Sequence, residues 1–388
     1  MTATDIPVPL RPAASRSWRQ TAAVLAPGLI YVGIQGVAVL VLWLFTHLNQ
    51  RTFDLHAWDG NWYLAIARDG YGGVPTSMLD GAGHHTPYTA MAFFPGYPGL
   101  IHLVEPMEGG NFVATALTIS ILAGILAAFG VTRLATRVTG SRRAGVIASV
   151  LVAAAPMSIM YSMVYPEALF LAFALWALVG VLEKNWPLAG WCAALAGLVR
   201  LDAAAVILVV VVAAGIAVWR GQDRFRAIAA IVVAPAGLVG YLAWVSIVSH
   251  SVWTYWQVQA QGWDSKWDWG VTTLRWAWST VSTDGDAFTM VVVAVMVVSL
   301  VLVILGFRRV PWPLWVYGAI VTTLVVGEAG ADFAKVRLLL PATVVLLIPV
   351  AMRLHRARLS MLVTATGLMV VAGIWYSAYS LSVWHYGI

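Results

Sequence analysis

Apolar runs long enough to cross a lipid bilayer recur along this chain, and they limit what it can fold into. A helix rises about 1.5 Å per residue, so it needs about 20 apolar residues to span a bilayer core. With 61% hydrophobic and only 10% charged residues, the chain cannot form a soluble domain with a charged exterior. We therefore predict an all-α polytopic membrane protein. The predicted spans, about eleven, lie at residues 22–48, 112–133, 144–162, 166–182, 188–200, 203–219, 227–248, 287–307, 312–327, 338–352 and 360–380.

Two long connections, residues 49–111 and 249–286, interrupt the series of short ones. Both contain Trp, Tyr and charged side chains. Loops longer than about 12 to 15 residues in a compact protein are usually functional or disordered. We interpret residues 1–388 as one transmembrane domain whose two long loops are partly folded. Within the first loop we predict a short helix lying on the membrane at 57–68, then a re-entrant turn and helix ending near Val104.

Basic residues indicate which side of the membrane each loop faces. Most of the 23 Lys and Arg residues fall on the side of the N-terminus, and most of the 17 Asp and Glu residues fall on the other. Because basic loops stay in the cytoplasm, we predict a cytoplasmic N-terminus and two long outer loops. This bias accounts for the net charge of +6 without a nucleic-acid partner. The excess of Arg over Lys, with abundant Ala, Val, Gly and Trp, indicates a bacterial cytoplasmic membrane.

Four motifs hold much of the polar chemistry of the outer side. They are WDGNWYLAIARDGY from Trp58, AFFPGYP from Ala92, APMSIMYSMVYPEALF from Ala155 and AGLVRLD from Ala196. In order and topology they resemble the PIG-V type mannosyltransferases, which belong to the GT-C glycosyltransferases. The resemblance covers roughly residues 50–205, and a less specific match, KVRLLLP, begins at Lys335. It implies a GT-C-like bundle of about 11 transmembrane helices with short interfacial helices in the outer loops.

The resemblance also implies a reaction. The reaction is the transfer of mannose, with inversion, from a polyprenyl-phosphate-mannose donor to a hydroxyl of a glycolipid or glycan acceptor. The resemblance implies that it takes place among membrane lipids and needs no cofactor. Departures from the family at Asn61-Trp62 and Leu201-Asp202 leave a different polyprenyl-linked sugar as an alternative. A transporter or flippase for lipid-linked sugar is an alternative from another class. It is disfavoured because the charges collect at the outer ends of spans and no duplicated half is apparent. A third alternative is a non-catalytic subunit with the same fold.

Asp59 is the candidate catalytic residue. Moving a glycosyl group from a phosphate to a hydroxyl needs a base for the hydroxyl proton, and a carboxylate at an accessible surface suits that task. The resemblance places the acidic residue of the first outer loop at this position. The alternative is that Asp59 caps the N-terminus of the following helix by accepting backbone N–H bonds.

Three cations, Arg200, Lys335 and Arg337, are candidates for the phosphate of the lipid carrier. They stand at predicted outer ends of spans, and a departing phosphate gains charge that preorganised donors stabilise. The span at 188–200 is short, so either it reaches only part of the way across the membrane or residues 188–219 form a broken hairpin; in both cases Arg200 falls at a polar apex. The alternative is that Arg200 and Asp202, or Arg337 and Asp332, neutralise each other.

Glu167, at the start of a predicted span, is a candidate ligand for sugar or hydroxyl. The alternative is a carboxylate in the first turn that interacts favourably with the helix dipole. We also expect Trp58, Tyr63 and Asp202, which belong to the same motifs, to contact substrate.

Two further features favour structural explanations. His84 and His85 are adjacent, so their side chains point in different directions, and no carboxylate lies at a recognised ligand spacing; we expect no metal. The second long loop is rich in Trp, which is enriched at membrane interfaces, and we interpret these residues as an interfacial belt.

Overall fold

The structure, a computed structural model, describes residues 18–330 and 332–384, and these ranges are predominantly helical. In chain order the α-helices are α1 (Trp18–Leu48), α2 (Asp59–Asp69), α3 (Gly96–Val104), α4 (Phe112–Thr139), α5 (Arg142–Ala153), α6 (Glu167–Glu183), α7 (Trp186–Gly197), α8 (Ala203–Trp219), α9 (Arg224–Val233), α10 (Ala236–Ser249), α11 (Thr254–Gly262), α12 (Val271–Ser279), α13 (Ala287–Gly306), α14 (Trp312–Gly327), α15 (Lys335–Leu346), α16 (Ile348–Leu354) and α17 (Leu359–Ser382). Short 3₁₀ turns cover Thr89–Ala92, Glu105–Glu108, Ser158–Ser162 and Asp332–Ala334, and a π-helical turn covers Thr280–Asp284.

Each predicted span contains helix, which confirms the expected all-α bundle. In the described ranges, five segments are long and apolar enough to cross a bilayer: Ala22–Leu48, Phe112–Thr139, Arg224–Ser249, Ala287–Gly306 and Leu359–Ser382. The pair Asp332–Leu346 and Ile348–Leu354 passes the same test together, with a bend of 54° between its halves. The fold therefore combines full-length spans with shorter apolar helices.

Helix α6, one of the shorter helices, lies in the protein core. Helix α6 is apolar on all sides, and Ala168, Phe170 and Leu175 on different faces of it are fully buried. A helix with no polar face belongs inside a bundle. It packs between α4 and α7, so neighbouring helices rather than lipid surround it.

The predicted helices of the first long loop are present as α2 and α3, but α2 lies on protein rather than on lipid. Trp62 and Ala65, which belong to the apolar side of this helix, are buried in the core. The Trp62 ring stacks on Phe93 with centroids 5.3 Å apart. That part of the prediction was wrong, because the segment around Phe93 folds back and covers the apolar face of α2.

The broken hairpin predicted over 188–219 is formed by α7 and α8, which are joined by a turn at 198–202. Helix α3 touches this turn, since the Gly96 N–H donates to the Leu198 carbonyl at 2.7 Å. A Cβ on Gly96 would lie 2.7 Å from that oxygen, which is closer than real side chains come. Glycine is therefore required where the first loop meets the apex.

Two short strands were not foreseen. Strands β1 (Lys266–Trp267) and β2 (Glu328–Ala329) pair antiparallel, with Lys266 opposite Ala329 and Trp267 opposite Glu328. They attach the second long loop to the connection between α14 and α15. Strands of two residues leave no alternation in a sequence, so the hydrophobic pattern could not reveal them.

Candidate active site

One cavity of about 580 Å³ gathers most of the predicted site residues. It lies between α2, the turn joining α7 to α8, the second long loop and the connection between α14 and α15. The predicted residues that line it are Asp59, Tyr63, Glu167, Arg200, Asp202, Lys335 and Arg337. These residues come from segments far apart in the chain, so the fold itself creates the site.

Asp59 is held in the cavity by an ion pair. Arg337 Nη2 donates to Asp59 Oδ2 at 2.7 Å, which joins the first loop to α15. The side chain of Asp59 is only 26% exposed and that of Arg337 only 13%. The Arg337 guanidinium also lies over the Tyr165 ring, 5.2 Å from its centroid. The pairing engages one carboxylate oxygen of Asp59, and the second oxygen, Oδ1, receives no hydrogen bond from any described residue.

The position of Asp59 follows from the way α2 begins. Trp58 occupies the cap position, with a backbone φ of 55° and no side-chain capping bond, and Asp59 is the first helical residue. The structure therefore does not support the alternative in which Asp59 is the cap. Gly60 lets this end of the helix approach Val164, since a Cβ there would lie 3.1 Å from the Val164 carbonyl oxygen. A bond from Tyr165 Oη to the Ala57 carbonyl, 3.0 Å long, fixes the same junction.

Arg200 forms the centre of a second charged group. Its Nη1 donates to Glu167 Oε1 at 2.9 Å, and its Nη2 donates to Asp202 Oδ2 at 2.9 Å. Arg200 and Asp202 do pair, as one alternative held, but a second carboxylate joins them. Glu167 is only 2% exposed, and its Oε2 has no hydrogen-bond partner among the described residues. An unsatisfied buried carboxylate oxygen is costly, and beside a cavity it is a candidate for ligand contact.

Lys335 is directed at the protein rather than at the open cavity. Its Nζ donates to the carbonyls of Val325 at 3.0 Å and Glu328 at 2.6 Å, and it lies 3.4 Å from Asp332 Oδ1. The side chain is 1% exposed. An ammonium has three donor positions, and three protein oxygens already surround this one. The geometry favours a structural role over the expected phosphate contact, and it shows that Asp332 pairs with Lys335 rather than with Arg337.

Tyr63 and Trp58, predicted to contact substrate, are placed differently. Tyr63 lines the cavity and packs edge-on against Phe93, with ring centroids 5.2 Å apart. Burial raises the pKa of Tyr63, and the charges of Glu167 and Asp59 raise it further. Its hydroxyl therefore stays a neutral donor at ordinary pH. Trp58 is partly buried and is not among the described residues that line the cavity, so its substrate contact stays a prediction.

The sequence analysis missed two charged residues of the cavity wall, Lys266 and Glu328. Burial raises the pKa of Glu328, a hydrogen bond from Ser265 opposes this shift, and the charge of Asp202 adds to it. The signal available was a lone acidic residue directly after the apolar helix α14. Aromatic side chains complete the wall: Phe93, Phe94, Tyr255, Trp256, Trp263 and Trp267.

The adjacent histidines have separate surroundings. His85 Nδ1 lies 2.8 Å from the Met78 carbonyl oxygen, and the His84 backbone N–H donates to Asp80. Within residues 18–330 and 332–384, no group of three or more His, Cys, Asp or Glu side chains has a metal-binding arrangement.

Comparison with solved structures establishes the fold. The chain superposes on ArnT from Cupriavidus metallidurans, bound to undecaprenyl phosphate, with a TM-score of 0.54 and 15% identity over 88% of this chain and 63% of that one. It also matches the archaeal oligosaccharyltransferase AglB from Archaeoglobus fulgidus, in complex with an inhibitory peptide and a dolichol-phosphate. There the TM-score is 0.50, with 15% identity over 92% of this chain and 56% of that one.

The chain has a GT-C-like fold. It spans about three fifths of the length of these structures, and at 15% identity the likeness concerns the fold alone. No protein-family model and no curated protein matches the sequence. The polytopic GT-C-like architecture implied by the motifs is thus confirmed by the fold.

Proposed function

We propose that this protein is an inverting glycosyltransferase that uses a polyprenyl-phosphate-linked sugar, with mannose as the sugar. Two observations support the class of reaction. The fold is that of ArnT and AglB, whose structures contain undecaprenyl phosphate and dolichol-phosphate. The cavity places a carboxylate and two guanidinium groups together beside aromatic walls. The motif resemblance to PIG-V type mannosyltransferases supports mannose.

The observation that carries the proposal is the pair formed by Asp59 and Arg337 inside this cavity. Asp59 Oδ1 accepts the proton of the attacking hydroxyl as its oxygen bonds to the anomeric carbon. The bond from that carbon to the carrier phosphate breaks, and the electron pair leaves with the phosphate. Arg337 and Arg200 stabilise the negative charge that develops there. Attack from the face opposite the phosphate inverts the anomeric configuration.

The expected location of the cavity indicates which class of acceptor the protein uses. The distribution of basic residues supports a cytoplasmic N-terminus and, with it, our proposal that the cavity opens on the outer face of the membrane. We propose a glycolipid or glycan hydroxyl there as the acceptor, with membrane lipids surrounding the cavity.

The experiment is a transfer assay with defined donors. Purified protein is incubated with radiolabelled polyprenyl-phosphate-mannose, and separately with the glucose and galactose analogues, in the presence of a bacterial membrane lipid extract. We expect label to enter a lipid or glycan product only from the mannose donor, and the anomeric configuration of that product to be opposite to the donor's. Transfer from another sugar alone would correct the donor, and transfer from none of the three would refute the proposal.

A further inference from the structure

Glu328 is a charged wall residue to which the proposed reaction assigns no role, and several hydrogen bonds hold its backbone. Its carbonyl accepts from Lys335 Nζ at 2.6 Å and from Thr273 Oγ1 at 3.1 Å. The preceding carbonyl, of Gly327, accepts from the backbone N–H groups of Asp268 at 3.3 Å and Gly270 at 3.0 Å. Together with the pairing of β1 and β2, these bonds fix Glu328 against both the second long loop and α15.

Only one oxygen of the Glu328 carboxylate has a hydrogen-bond partner among the described residues. Ser265 Oγ donates to Glu328 Oε1, and the side chain lines the cavity. No described residue donates to Oε2. Burial raises the pKa of this group, so its surroundings do not supply full solvation. A carboxyl group fixed in this way has one oxygen left to meet a ligand.

The surroundings of Glu328 indicate the chemistry of that ligand. Trp267 is its partner across the two strands, and Trp263 lies on the same wall. Aromatic faces pack well on the C–H faces of a sugar ring, and a carboxylate accepts short bonds from hydroxyl groups. The neighbouring charges are mixed, since Asp202 raises the pKa of Glu328 whereas Lys335 and Arg200 lower it. An ionised phosphate has no hydrogen to donate to a carboxylate oxygen, so a hydroxyl group suits the free oxygen of Glu328 better.

We propose that Glu328 binds a sugar hydroxyl group, and that Ser265, which holds its carboxylate, and Lys335, which holds its backbone carbonyl, are positioning residues. The inference rests on the proposed glycosyltransferase function and adds a recognition residue to it. The hydroxyl belongs either to the sugar being transferred or to a sugar of the acceptor, and one assay separates these sources.

The test compares two reactions of the full chain in detergent, using polyprenyl-phosphate-mannose as the donor. One reaction is transfer to membrane lipid extract, and the other is slow transfer to water without extract. We expect Glu328→Ala to lower kcat/KM for transfer to the extract roughly 10- to 100-fold, the loss of one hydrogen bond to a charged group. If the hydroxyl is on the donor, transfer to water falls equally; if it is on the acceptor, transfer to water is unchanged.

Two further variants keep the test independent of folding. Glu328→Gln retains an accepting oxygen and a similar shape, so a smaller loss than for alanine is expected. Glu108→Ala, an exposed Glu of the first loop, is the matched control and should leave both rates unchanged. If both Glu328 variants transferred sugar to the extract and to water within twofold of the wild-type rates, the inference would be overturned and the proposed function would still stand. An inactive wild-type protein would instead refute that function and the inference with it.

Discussion

The ion pair of Asp59 and Arg337 makes a quantitative prediction about stability. Removing one partner of a buried pair costs about 3–5 kcal/mol, because the other charge is left unpaired. Here Asp59 is 26% exposed, and solvent screening reduces the cost to about 1–3 kcal/mol. Arg337 is the more buried partner, and its Nε and Nη1 have no hydrogen-bond partner among the described residues. We therefore expect Asp59→Ala, which strands the guanidinium, to cost more than Arg337→Met.

A double-mutant cycle measures this interaction. The free energy of unfolding is obtained for wild type, the two single variants and the double variant, from Trp fluorescence in mixtures of mild detergent and dodecyl sulfate. The double variant should be less destabilised than the sum of the single variants, with a coupling energy of about 1–3 kcal/mol. A coupling energy within about 0.5 kcal/mol of zero would show that the two groups are independent, and the description of the site would be wrong.

Three other perturbations have defined outcomes. Gly96→Ala puts a Cβ 2.7 Å from the Leu198 carbonyl oxygen, so we expect it to lower the unfolding free energy by about 1–3 kcal/mol. The control is Gly99→Ala, whose Cβ would have no atom within 4 Å and should cost little. An equal loss for Gly99→Ala would refute the steric reasoning. Lys335→Met should speed hydrogen exchange of the amides in β1 and β2, and unchanged exchange would contradict the anchoring role. Burial raises the pKa of Glu328, so between the unfolded and the folded pKa the folded protein keeps a proton that the unfolded chain releases. The stability that this group contributes is therefore present at acidic pH, and it is lost as the pH rises through the folded pKa. Glu328→Gln should remove that component, and an identical pH profile would contradict it.

The sequence was informative about elements and motifs because both are local. Apolar runs located every long helix, and the polar turn containing Arg200 was recognised as the apex of a broken hairpin. The motif around Asp59 identified a residue that does line the main cavity. Each of these inferences depends on residues close together in the chain, where hydrophobic length and turn chemistry act directly.

The pairings within the site could not be predicted in the same way. Asp59 and Arg337 are 278 residues apart, and their contact depends on how α2 and α15 pack in the bundle. Pairing of Arg200 with its neighbour Asp202 was an alternative that the sequence offered, but the addition of Glu167 required knowing that α6 begins beside the apex. Glu328 was missed because its environment is created by two strands of two residues each. Packing, which the local pattern does not encode, decides these contacts.

The most direct test of the account is the rate of sugar transfer by Asp59→Asn beside that of Asp69→Asn. Both substitutions fall in α2, but Asp69 pairs with the exposed Arg68, whereas Asp59 lines the cavity. The donor is polyprenyl-phosphate-mannose. If Asp59 is the general base, Asp59→Asn lowers kcat by about 10²- to 10⁴-fold, while Asp69→Asn transfers sugar at the wild-type rate. Folded Asp59→Asn protein that transfers the sugar as fast as wild type would contradict the account.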